Sequence, residues 1–508
     1  MSLATIYTRG SIGIQAPLIQ VEIHISNGLP GFTLVGLPET SVKEAKDRVR
    51  SALINSGFTF PAKRITINLS PADLPKEGSR FDLPIAIAIL AATKQIPSDR
   101  LLQYEFLGEL ALSGAIKAIK GIIPAALAAQ KANRDLITGY DNIADIALIK
   151  QNAHKLATSL TDICDYLQGQ NKLHSSANYT IQPYIKEKDD DLQDIIGQEH
   201  AKRVLEIAAA GGHNLLLIGP PGTGKTMLAT RLNSLLPLLS ESEALEIAAI
   251  NSLVNGVLSS SNWQIRPFRS PHHSASIAAL VGGGNIPKPG EISLAHNGIL
   301  FLDELPEFNR KVLDALREPL ESGKIVISRA NGKVTFPAKV QLVAAMNPSP
   351  TGHYQGIHNR TNPQQVLRYL NRLSGPFLDR FDLSIEVPLL PKGLLSQKSI
   401  IGESTETVKL RVIKTRNKQL QERGKINSDF NNKDISKYCC LSKDNAEFLE
   451  NALNKLGLSA RAWHRILKVS RTIADLADKE HIERQHLAEA LSYRSMDRLL
   501  LHLHKNSC

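Results

Sequence analysis

Hydrophobic and polar positions alternate with a period of two in short stretches of the first 175 residues, as in LIQVEIHIS (18–26) and RITINLS (64–70). This period is typical of half-buried β-strands. Apolar stretches of helical character accompany them, among them FDLPIAIAILAATKQ (81–95) and GIIPAALAAQKAN (121–133). Strands alternating with helices predict an α/β domain over residues 1–175.

A polar segment interrupts this pattern and ends in an acidic run, HSSANYTIQPYIKEKDDD (174–191). Its composition predicts a linker over residues 176–191. Helical and buried-strand patterns then alternate over residues 192–391, which predicts a second α/β unit. Beyond that point apolar residues recur every three or four positions, which predicts a helical lid over residues 392–508.

The composition of the 508-residue chain is that of a globular protein, with 42% hydrophobic and 21% charged residues. Its length predicts about three domains. The N-terminus lacks a signal-peptide pattern, and the longest apolar run, Leu83 to Thr93, is too short to cross a bilayer. No disulfide framework or CxxC pair is formed by Cys164, Cys439, Cys440 and Cys508. We therefore expect a cytoplasmic protein without membrane contact.

The net charge is +11, and much of the excess lies near the C-terminus. From Lys392 onward there are 22 Lys and Arg against 14 Asp and Glu, a surplus of eight. A basic segment is an expected electrostatic partner of nucleic acid. A solvated helix face explains the same charges, so charge alone leaves both interpretations open.

The stretch LIGPPGTGKT (217–226) indicates a strand that enters a phosphate-binding loop and then a helix. Backbone N–H groups of such a loop surround phosphates at a helix N-terminus. We expect Lys225 to contact the β- and γ-phosphates of ATP, and Thr226 to hold Mg²⁺ through its hydroxyl. The predicted ATP-binding residues are Gly219, Pro220, Pro221, Gly222, Thr223, Gly224, Lys225 and Thr226.

A second stretch, NGILFLDELPEF (297–308), indicates a buried parallel strand that ends in two carboxylates. Asp303 is expected to bind Mg²⁺ through water. Glu304 is expected to polarise the attacking water as general base. Together with the upstream phosphate loop, this pair predicts ATP hydrolysis.

Three further polar residues follow apolar stretches. Asn347 ends the strand pattern VQLVAAMN and can orient the attacking water. Arg380, in GPFLDRFDL, is expected to contact the γ-phosphate bound by a neighbouring subunit. A guanidinium suits this role because it stays charged and can donate two hydrogen bonds to a phosphate. Arg461 opens a lid helix in GLSARAWHRI. Each arginine taken singly also fits an ordinary surface ion pair.

In this order the motifs resemble those of AAA+ ATPases, and the chain is similar end to end to the magnesium-chelatase-like branch, most closely its ComM (YifB-type) family. The resemblance is carried by FRSPHHSASIAALVGGG, PKPGEISLAHNGILFLDELPEF, LREPLESGKIVISRA and RLSGPFLDRFDL. It implies a homo-hexameric ring with ATP at subunit interfaces. It also implies that Arg380 acts in trans and that Arg461 is a second sensor, in cis or in trans.

Two features argue against a bound zinc ion. Many relatives carry cysteines in the stretch that reads NPSPTGHY here, where Ser349 and Thr351 stand at those places. His272 and His273 are adjacent, so on an extended segment their side chains would point in opposite directions. We expect no metal site at either place.

The stretches LPKEGSRFDLPIAIAIL and FLGELALSGAIKAIKGIIPAALAA resemble the Lon-type serine–lysine protease fold. Arg80 stands at the position of the nucleophilic serine, and Ile123 at that of the lysine. Ser79, Lys117 and Lys120 lie nearby but out of place. Because the mechanism needs a hydroxyl and an amine in contact, we expect a domain without protease activity, retained for assembly or partner contacts.

The segment KIVISRANGKVTFPAKV (324–340) predicts a β-hairpin with a tight turn at Asn331-Gly332. One face should carry Ile325, Ile327, Val334 and Phe336. Arg329 and Lys333 near the tip are expected to contact DNA phosphates. The hairpin resembles the pre-sensor hairpin of helicases in this branch, although an ordinary surface hairpin has the same pattern.

Two functions remain open. The first is a hexameric motor that unwinds or branch-migrates single-stranded or branched DNA, with recombination proteins as partners, which the family resemblance implies for recombination during natural transformation. The second is a chaperone-like or chelatase-like motor that remodels a protein partner. A Mg-ATPase switch that binds a partner without translocating is a third, weaker interpretation.

Overall fold

The computed structural model describes residues 2–150, 154–179, 191–254, 263–284, 287–329, 332–352, 362–390, 402–458 and 460–505. Within these residues the chain forms two large sheets flanked by helices, followed by a helical C-terminal part. The predicted α/β class with a helical C-terminus is therefore confirmed. The predicted domain boundaries stay a prediction, and most of the predicted linker (180–190) lies outside the described residues.

The N-terminal unit is built on a mixed sheet of order β10-β9-β8-β5-β1-β2-β4-β3. Its strands, with the small β6–β7 pair, are β1 Ser2–Arg9, β2 Leu18–Ser26, β3 Gly31–Val35, β4 Arg64–Ser70, β5 Tyr104–Leu107, β6 Glu109–Leu110, β7 Ile116–Lys117, β8 Asp135–Gly139, β9 Lys155–Ala157 and β10 His174–Ser175. Its helices are α1 Thr40–Lys43, α2 Ala45–Asn55, α3 Asp82–Ala92, α4 Ile122–Lys131, α5 Ile143–Ile146 and α6 Leu160–Leu167.

The alternating pattern of β2 is explained by burial of every second side chain, from Ile19 to Ile25, against α3. Every residue of α3 is buried, because this helix packs between the sheet and α2. That position accounts for the continuous apolar run of α3.

The second unit contains a sheet in which all strand pairs are parallel, of order β12-β15-β18-β11-β19. Its strands and hairpins are β11 Leu215–Ile218, β12 Phe268–Arg269, β13 Gly282–Gly283, β14 Lys288–Pro289, β15 Ile299–Leu302, β16 Lys324–Arg329, β17 Gly332–Pro337, β18 Gln341–Met346 and β19 Leu383–Glu386. Its helices are α7 Glu199–Gly211, α8 Lys225–Leu235, α9 Glu241–Val254, α10 Ile277–Val281, α11 Glu291–Leu294, α12 Arg310–Ala315, α13 Arg317–Ser322, α14 Pro363–Leu370 and α15 Gly375–Leu378.

Parallel pairing gathers the carboxyl ends of β11, β15 and β18 at one edge of this sheet. The residues that follow these ends are Gly219, Asp303 and Asn347. Arg380 precedes β19 and therefore lies at the opposite, amino edge. The strands β11, β15 and β18 are buried throughout, which explains why their sequences show apolar runs without alternation.

The C-terminal part consists of α16 Thr405–Arg423, α17 Asn432–Tyr438, α18 Lys443–Leu456, α19 Ala460–Leu476, α20 Arg484–Ser492 and α21 Ser495–Lys505. Helices α16 and α19 pack on α7 of the second unit. The last helix returns to the sheet, where Met496, Leu499 and Leu503 join the apolar cluster below β18. Within the described ranges, no helix has the length and apolarity to cross a membrane.

The N-terminal unit docks on the second unit through α4 and α9, whose apolar faces share one cluster. The Lys120 ammonium donates to the Val254 carbonyl at 2.8 Å, and the Gly121 N–H donates to the Ser252 carbonyl at 2.7 Å. At a second contact, Gly13 has a left-handed φ of +57°, and a Cβ there would lie 2.4 Å from Val334 of the hairpin. The hairpin and the N-terminal unit are therefore in direct contact.

Candidate nucleotide-binding site

The loop that joins β11 to α8 has the backbone of a phosphate cradle. Gly222 and Gly224 adopt left-handed φ angles of 78° and 84°, which favour glycine. A Cβ on Gly219 would lie 2.3 Å from the Val387 carbonyl oxygen beyond β19, so only glycine fits there. Helix α8 begins at Lys225, and its N-terminus faces the loop.

Lys225 connects the loop with the end of β18. Its ammonium donates to the carbonyls of Gly219 and Pro220, both at 2.8 Å, and to Asn347 Oδ1 at 3.2 Å. Burial lowers the pKa of Lys225, and the nearby Asp303 carboxylate opposes that shift. The predicted phosphate contact and the predicted water-orienting residue thus lie side by side.

Thr226 and Asp303 form the second pair of the site. The Thr226 hydroxyl donates to Asp303 Oδ2 at 2.8 Å. A hydroxyl and a carboxylate this close supply the oxygen ligands that Mg²⁺ prefers, with phosphate oxygens and water completing the shell. In the part of the chain that the structure describes, no cluster of three or more His, Cys, Asp or Glu offers an all-protein metal site. The donor set therefore fits Mg²⁺ bound together with a nucleotide.

Glu304 follows Asp303 in a left-handed conformation, with φ 52° and ψ 47°. Such a backbone costs a non-glycine residue about 1–3 kcal/mol and is common at functional sites. The Glu304 side chain is 59% exposed, and its Oε2 lies 3.2 Å from His273 Nδ1. No motif pointed to this contact, because it depends on how β12 and β15 pair.

The expectation that His272 and His273 point in opposite directions is wrong. Their ring centroids lie 4.1 Å apart with planes inclined by 34°. The segment turns after His272 instead of staying extended, and His272 Nδ1 lies 2.8 Å from the Ser274 hydroxyl.

Arg380 and Arg461 share a cleft of about 390 Å³ at the amino edge of the sheet. Arg380 Nη2 donates to Glu321 at 2.8 Å, and Arg461 Nη1 lies 3.6 Å from Asp379. The structure brings these two residues together and separates them from the phosphate loop at the carboxyl edge.

Three cations that the motifs did not indicate line the same cleft: Arg317, Arg465 and Lys468. Burial lowers the pKa values of Arg465 and Lys468. Arg380 Nε and Arg465 Nη1 are buried without a hydrogen-bond acceptor among the described residues. The five cations that line the cleft outnumber its one carboxylate, Glu321, and this excess of positive charge suits an anion. Arg465 follows Arg461 by one helical turn, so both lie on one face of α19. This spacing is the feature of the sequence from which Arg465 could have been predicted.

The predicted hairpin forms, with Ile325 opposite Phe336 and Ile327 opposite Val334. The predicted turn at Asn331-Gly332 is wrong, because Gly332 is the first residue of β17 and pairs with Arg329. All four side chains are buried, so the predicted apolar face is confirmed. Ala330 and Asn331 of the turn lie outside the described residues, and Arg329 is placed at the end of β16 by its backbone. Lys333 is exposed and borders a cavity of about 830 Å³ between the hairpin and the N-terminal unit.

The N-terminal unit does not pair a serine with a lysine among the hydrogen bonds of the described residues. The Ser79 hydroxyl donates to Glu109, and Arg80 donates to the Lys120 carbonyl at 2.7 Å. Ile123 is buried in α4. The absence of protease activity stays a prediction. Ser349 is buried with its hydroxyl 3.3 Å from that of Thr351.

Comparison with known families gives three matches along the chain. Residues 191–395 match the family described as magnesium chelatase, subunit ChlI. Residues 21–142 match the subunit ChlI of Mg-chelatase family, and residues 402–494 match the C-terminal family of the same subunit. The matches cover parts of the N-terminal unit, the nucleotide-binding unit and the C-terminal helices.

Similar proteins align over nearly the whole chain. The competence protein ComM of Haemophilus influenzae is 62% identical, over 98% of this chain and 99% of that protein. The YifB proteins of Salmonella typhimurium and Escherichia coli are 60% and 59% identical, each over 99% of both chains. The chain therefore belongs to the ComM/YifB family of magnesium-chelatase-like AAA+ proteins.

Proposed function

We propose that the protein is an ATP-driven DNA motor that works as a homo-hexameric ring. In this proposal it unwinds or branch-migrates single-stranded or branched DNA and supports homologous recombination during natural transformation. The name of the Haemophilus relative, a competence protein, supports the biological setting. The family relationship supports hydrolysis of ATP with Mg²⁺.

The main observation that supports a ring of subunits is the separation of the cationic cleft from the phosphate loop. The loop follows β11 at the carboxyl edge, whereas Arg380 and Arg461 lie at the amino edge beside β19. A strand of four residues spans roughly 13 Å, more than an arginine side chain bridges. A neighbouring subunit that presents its loop to this cleft would bring bound phosphates to cations that outnumber the carboxylates lining it. In this proposal Arg461 acts in trans together with Arg380.

Residues that follow β11, β15 and β18, together with an arginine of the neighbouring subunit, would carry out hydrolysis. Lys225 and the loop N–H groups would bind the phosphates, while the Thr226 hydroxyl, and Asp303 through water, would hold Mg²⁺. Bound Mg²⁺ would neutralise charge on the β- and γ-phosphates. Glu304 takes the proton of the attacking water, and Asn347 orients that water. The neighbour's Arg380 stabilises charge on the transferred phosphoryl group.

The link to DNA is the hairpin β16–β17. Its second strand leads into β18, which ends at Asn347 beside Lys225. A displacement of the hairpin is therefore transmitted along one continuous segment to the phosphate loop. Exposed Lys333 and, from its sequence position, Arg329 supply positive charge for DNA phosphates.

The alternative is a motor that remodels a protein partner, which the family descriptions of magnesium chelatase support. ATPase rates of the full-length protein separate the possibilities. They should be measured alone, with single-stranded DNA, with forked DNA and with an unfolded polypeptide, using Lys225→Ala as background. Stimulation by DNA alone is expected. If polypeptide but not DNA stimulates the ATPase rate, the protein-remodelling motor would replace the DNA motor. If neither stimulates the rate, a Mg-ATPase switch would be favoured.

A further inference from the structure

Asn214 lies outside every motif of the nucleotide site, yet it joins two parts of that site. It immediately precedes β11, the strand that ends at the phosphate loop. Arg380 lies in the short turn between α15 and β19, and β19 pairs with β11. The amino end of β11 therefore meets the Arg380 turn, while its carboxyl end carries the phosphate loop of the same subunit.

All the polar groups of Asn214 take part in this junction. Its side-chain Nδ2 donates to the Arg380 carbonyl at 2.8 Å, and its backbone N–H donates to Asp382 Oδ2 at 3.2 Å. Its backbone carbonyl accepts from the N–H groups of Asp382 and Leu383, at 3.1 and 3.0 Å. Its side-chain Oδ1 accepts from the Leu342 N–H at 2.8 Å. The turn is thus attached at three of the four positions from Arg380 to Leu383 by one residue.

The chemistry of the junction requires a side-chain amide. A backbone carbonyl only accepts and a backbone N–H only donates, so a side chain between the two must donate on one side and accept on the other. An ionised aspartate would only accept, and it would face both the Arg380 carbonyl and the Asp382 carboxylate. An aliphatic side chain would remove the hydrogen bonds on both sides.

The Arg380 guanidinium has weak contacts of its own within the subunit. Its Nη2 donates at 2.8 Å to Glu321, whose side chain is 68% exposed, and such pairs contribute little. Its Nε has no hydrogen-bond acceptor among the described residues. The direction of the side chain therefore depends on the backbone of the turn that Asn214 holds.

We propose that Asn214 is a positioning residue that aims Arg380 at the phosphate of the neighbouring subunit. Through Leu342, at the second position of β18, the same amide also ties the turn to the strand that ends beside Asn347. This inference rests on the proposed function, because that function assigns Arg380 to a neighbour's γ-phosphate.

The first test is the steady-state ATPase of full-length Asn214→Ala. A displaced arginine should lower kcat by about 10- to 100-fold and leave the Kd for ATP within about twofold of wild type, because only the geometry at the transferred group changes. Asn214→Asp keeps the acceptor for the Leu342 N–H and loses the donor to Arg380. It should show the same loss, and it carries the comparison should Asn214→Ala not fold.

Gln341→Leu is the matched control. Gln341 Nε2 donates to the carbonyls of Ala208 and His213, at 2.9 and 2.8 Å, beside Asn214. Among the described hydrogen bonds, its side chain makes none with the Arg380 turn. Its kcat should stay within about threefold of wild type. Unfolding midpoints of the variants report any general loss of stability, and a kcat near wild type in both Asn214 variants would overturn the proposal.

A double variant separates positioning from a general structural role. If Asn214 acts through Arg380, Asn214→Ala should lower the rate by no more than about twofold in an Arg380→Ala background. Single-turnover hydrolysis of labelled ATP, followed over hours, measures such slow rates. A further tenfold fall in the double variant would show that Asn214 acts by another route and would overturn the proposal.

Mixed subunits locate the defect. Asn214→Ala subunits should recover activity when mixed with Lys225→Ala subunits but not with Arg380→Ala subunits. The reverse pattern would place the defect at the phosphate loop of the same subunit and would overturn the proposal. If Arg380→Ala and Lys225→Ala subunits form rings without recovery, the action in trans within the proposed function fails instead, while the double variant still decides whether Asn214 positions Arg380.

Discussion

Lys225 Nζ lies 3.2 Å from Asn347 Oδ1, so the phosphate loop and the strand that continues from the hairpin share a hydrogen bond. The same ammonium is held by two loop carbonyls. A change in the position of β18 therefore reaches the ammonium group that we propose contacts the β- and γ-phosphates. The proposed DNA contact at the hairpin is therefore connected to the phosphate loop through β18 and the hydrogen bond between Asn347 and Lys225.

Substitutions at the two ends of the nucleotide site should separate binding from turnover. Lys225→Ala removes the charge that faces the phosphates and should weaken ATP binding by at least about tenfold. Glu304→Gln leaves the phosphate contacts intact and should lower kcat by about 100-fold or more. Isothermal titration and steady-state kinetics measure the two effects. Normal hydrolysis by Glu304→Gln would remove Glu304 as the base.

Mixed subunits test whether Arg380 and Arg461 act in trans. An arginine that acts on the transferred phosphoryl group contributes about 10³–10⁵ in turnover, so Arg380→Ala alone should be nearly inactive. Mixing Arg380→Ala subunits with Lys225→Ala subunits creates interfaces that retain both groups and should recover activity. The same recovery is expected when Arg461→Ala replaces Arg380→Ala. Rings that form at every ratio without recovery would assign the arginines to their own subunit.

The hairpin prediction concerns Arg329 and Lys333. Replacing both with alanine should leave the DNA-independent ATPase rate unchanged and abolish unwinding. The slope of log Kd for DNA against log salt should fall by about 0.9 for each phosphate that the variant no longer binds. The control replaces exposed Lys43 and Lys46 of the N-terminal unit, which removes the same charge from another surface. Full unwinding by the hairpin variant would exclude the hairpin from DNA contact.

Two alanine variants can measure how tightly Gly13 packs against the hairpin. Gly57→Ala introduces a left-handed alanine with no atom within 4 Å of its Cβ, whereas Gly13→Ala adds a Cβ 2.4 Å from Val334 Cγ1. Both should lose about 1–2 kcal/mol from backbone strain. Gly13→Ala should lose about 1–3 kcal/mol more from overpacking. Equal midpoints in chemical denaturation would show that the two units do not pack at Gly13.

The sequence predicts those features that depend on local periodicity. β2, β4 and the buried strand before Asp303 follow from their apolar patterns, and the two strands of the hairpin follow from their alternation. The hairpin register does not follow from the predicted turn residues, because Gly332 pairs with Arg329 inside the strands. The contact of His273 with Glu304 and the cleft around Arg380 could not be predicted in this way. They depend on which strands become neighbours in the sheet and on how α19 folds back over it. The packing of α21 against the sheet could not be predicted for the same reason, because an amphipathic pattern does not indicate which surface the helix contacts.

The most direct test of the DNA motor is displacement of a labelled strand from a forked duplex by the full-length protein. We predict ATP-dependent displacement by the wild-type protein and none by Glu304→Gln, which should still bind the fork. Displacement should also require hydrolysis, so a non-hydrolysable ATP analogue should not support it. Rapid ATP hydrolysis on the fork without any strand displacement or branch migration would contradict the proposed DNA motor.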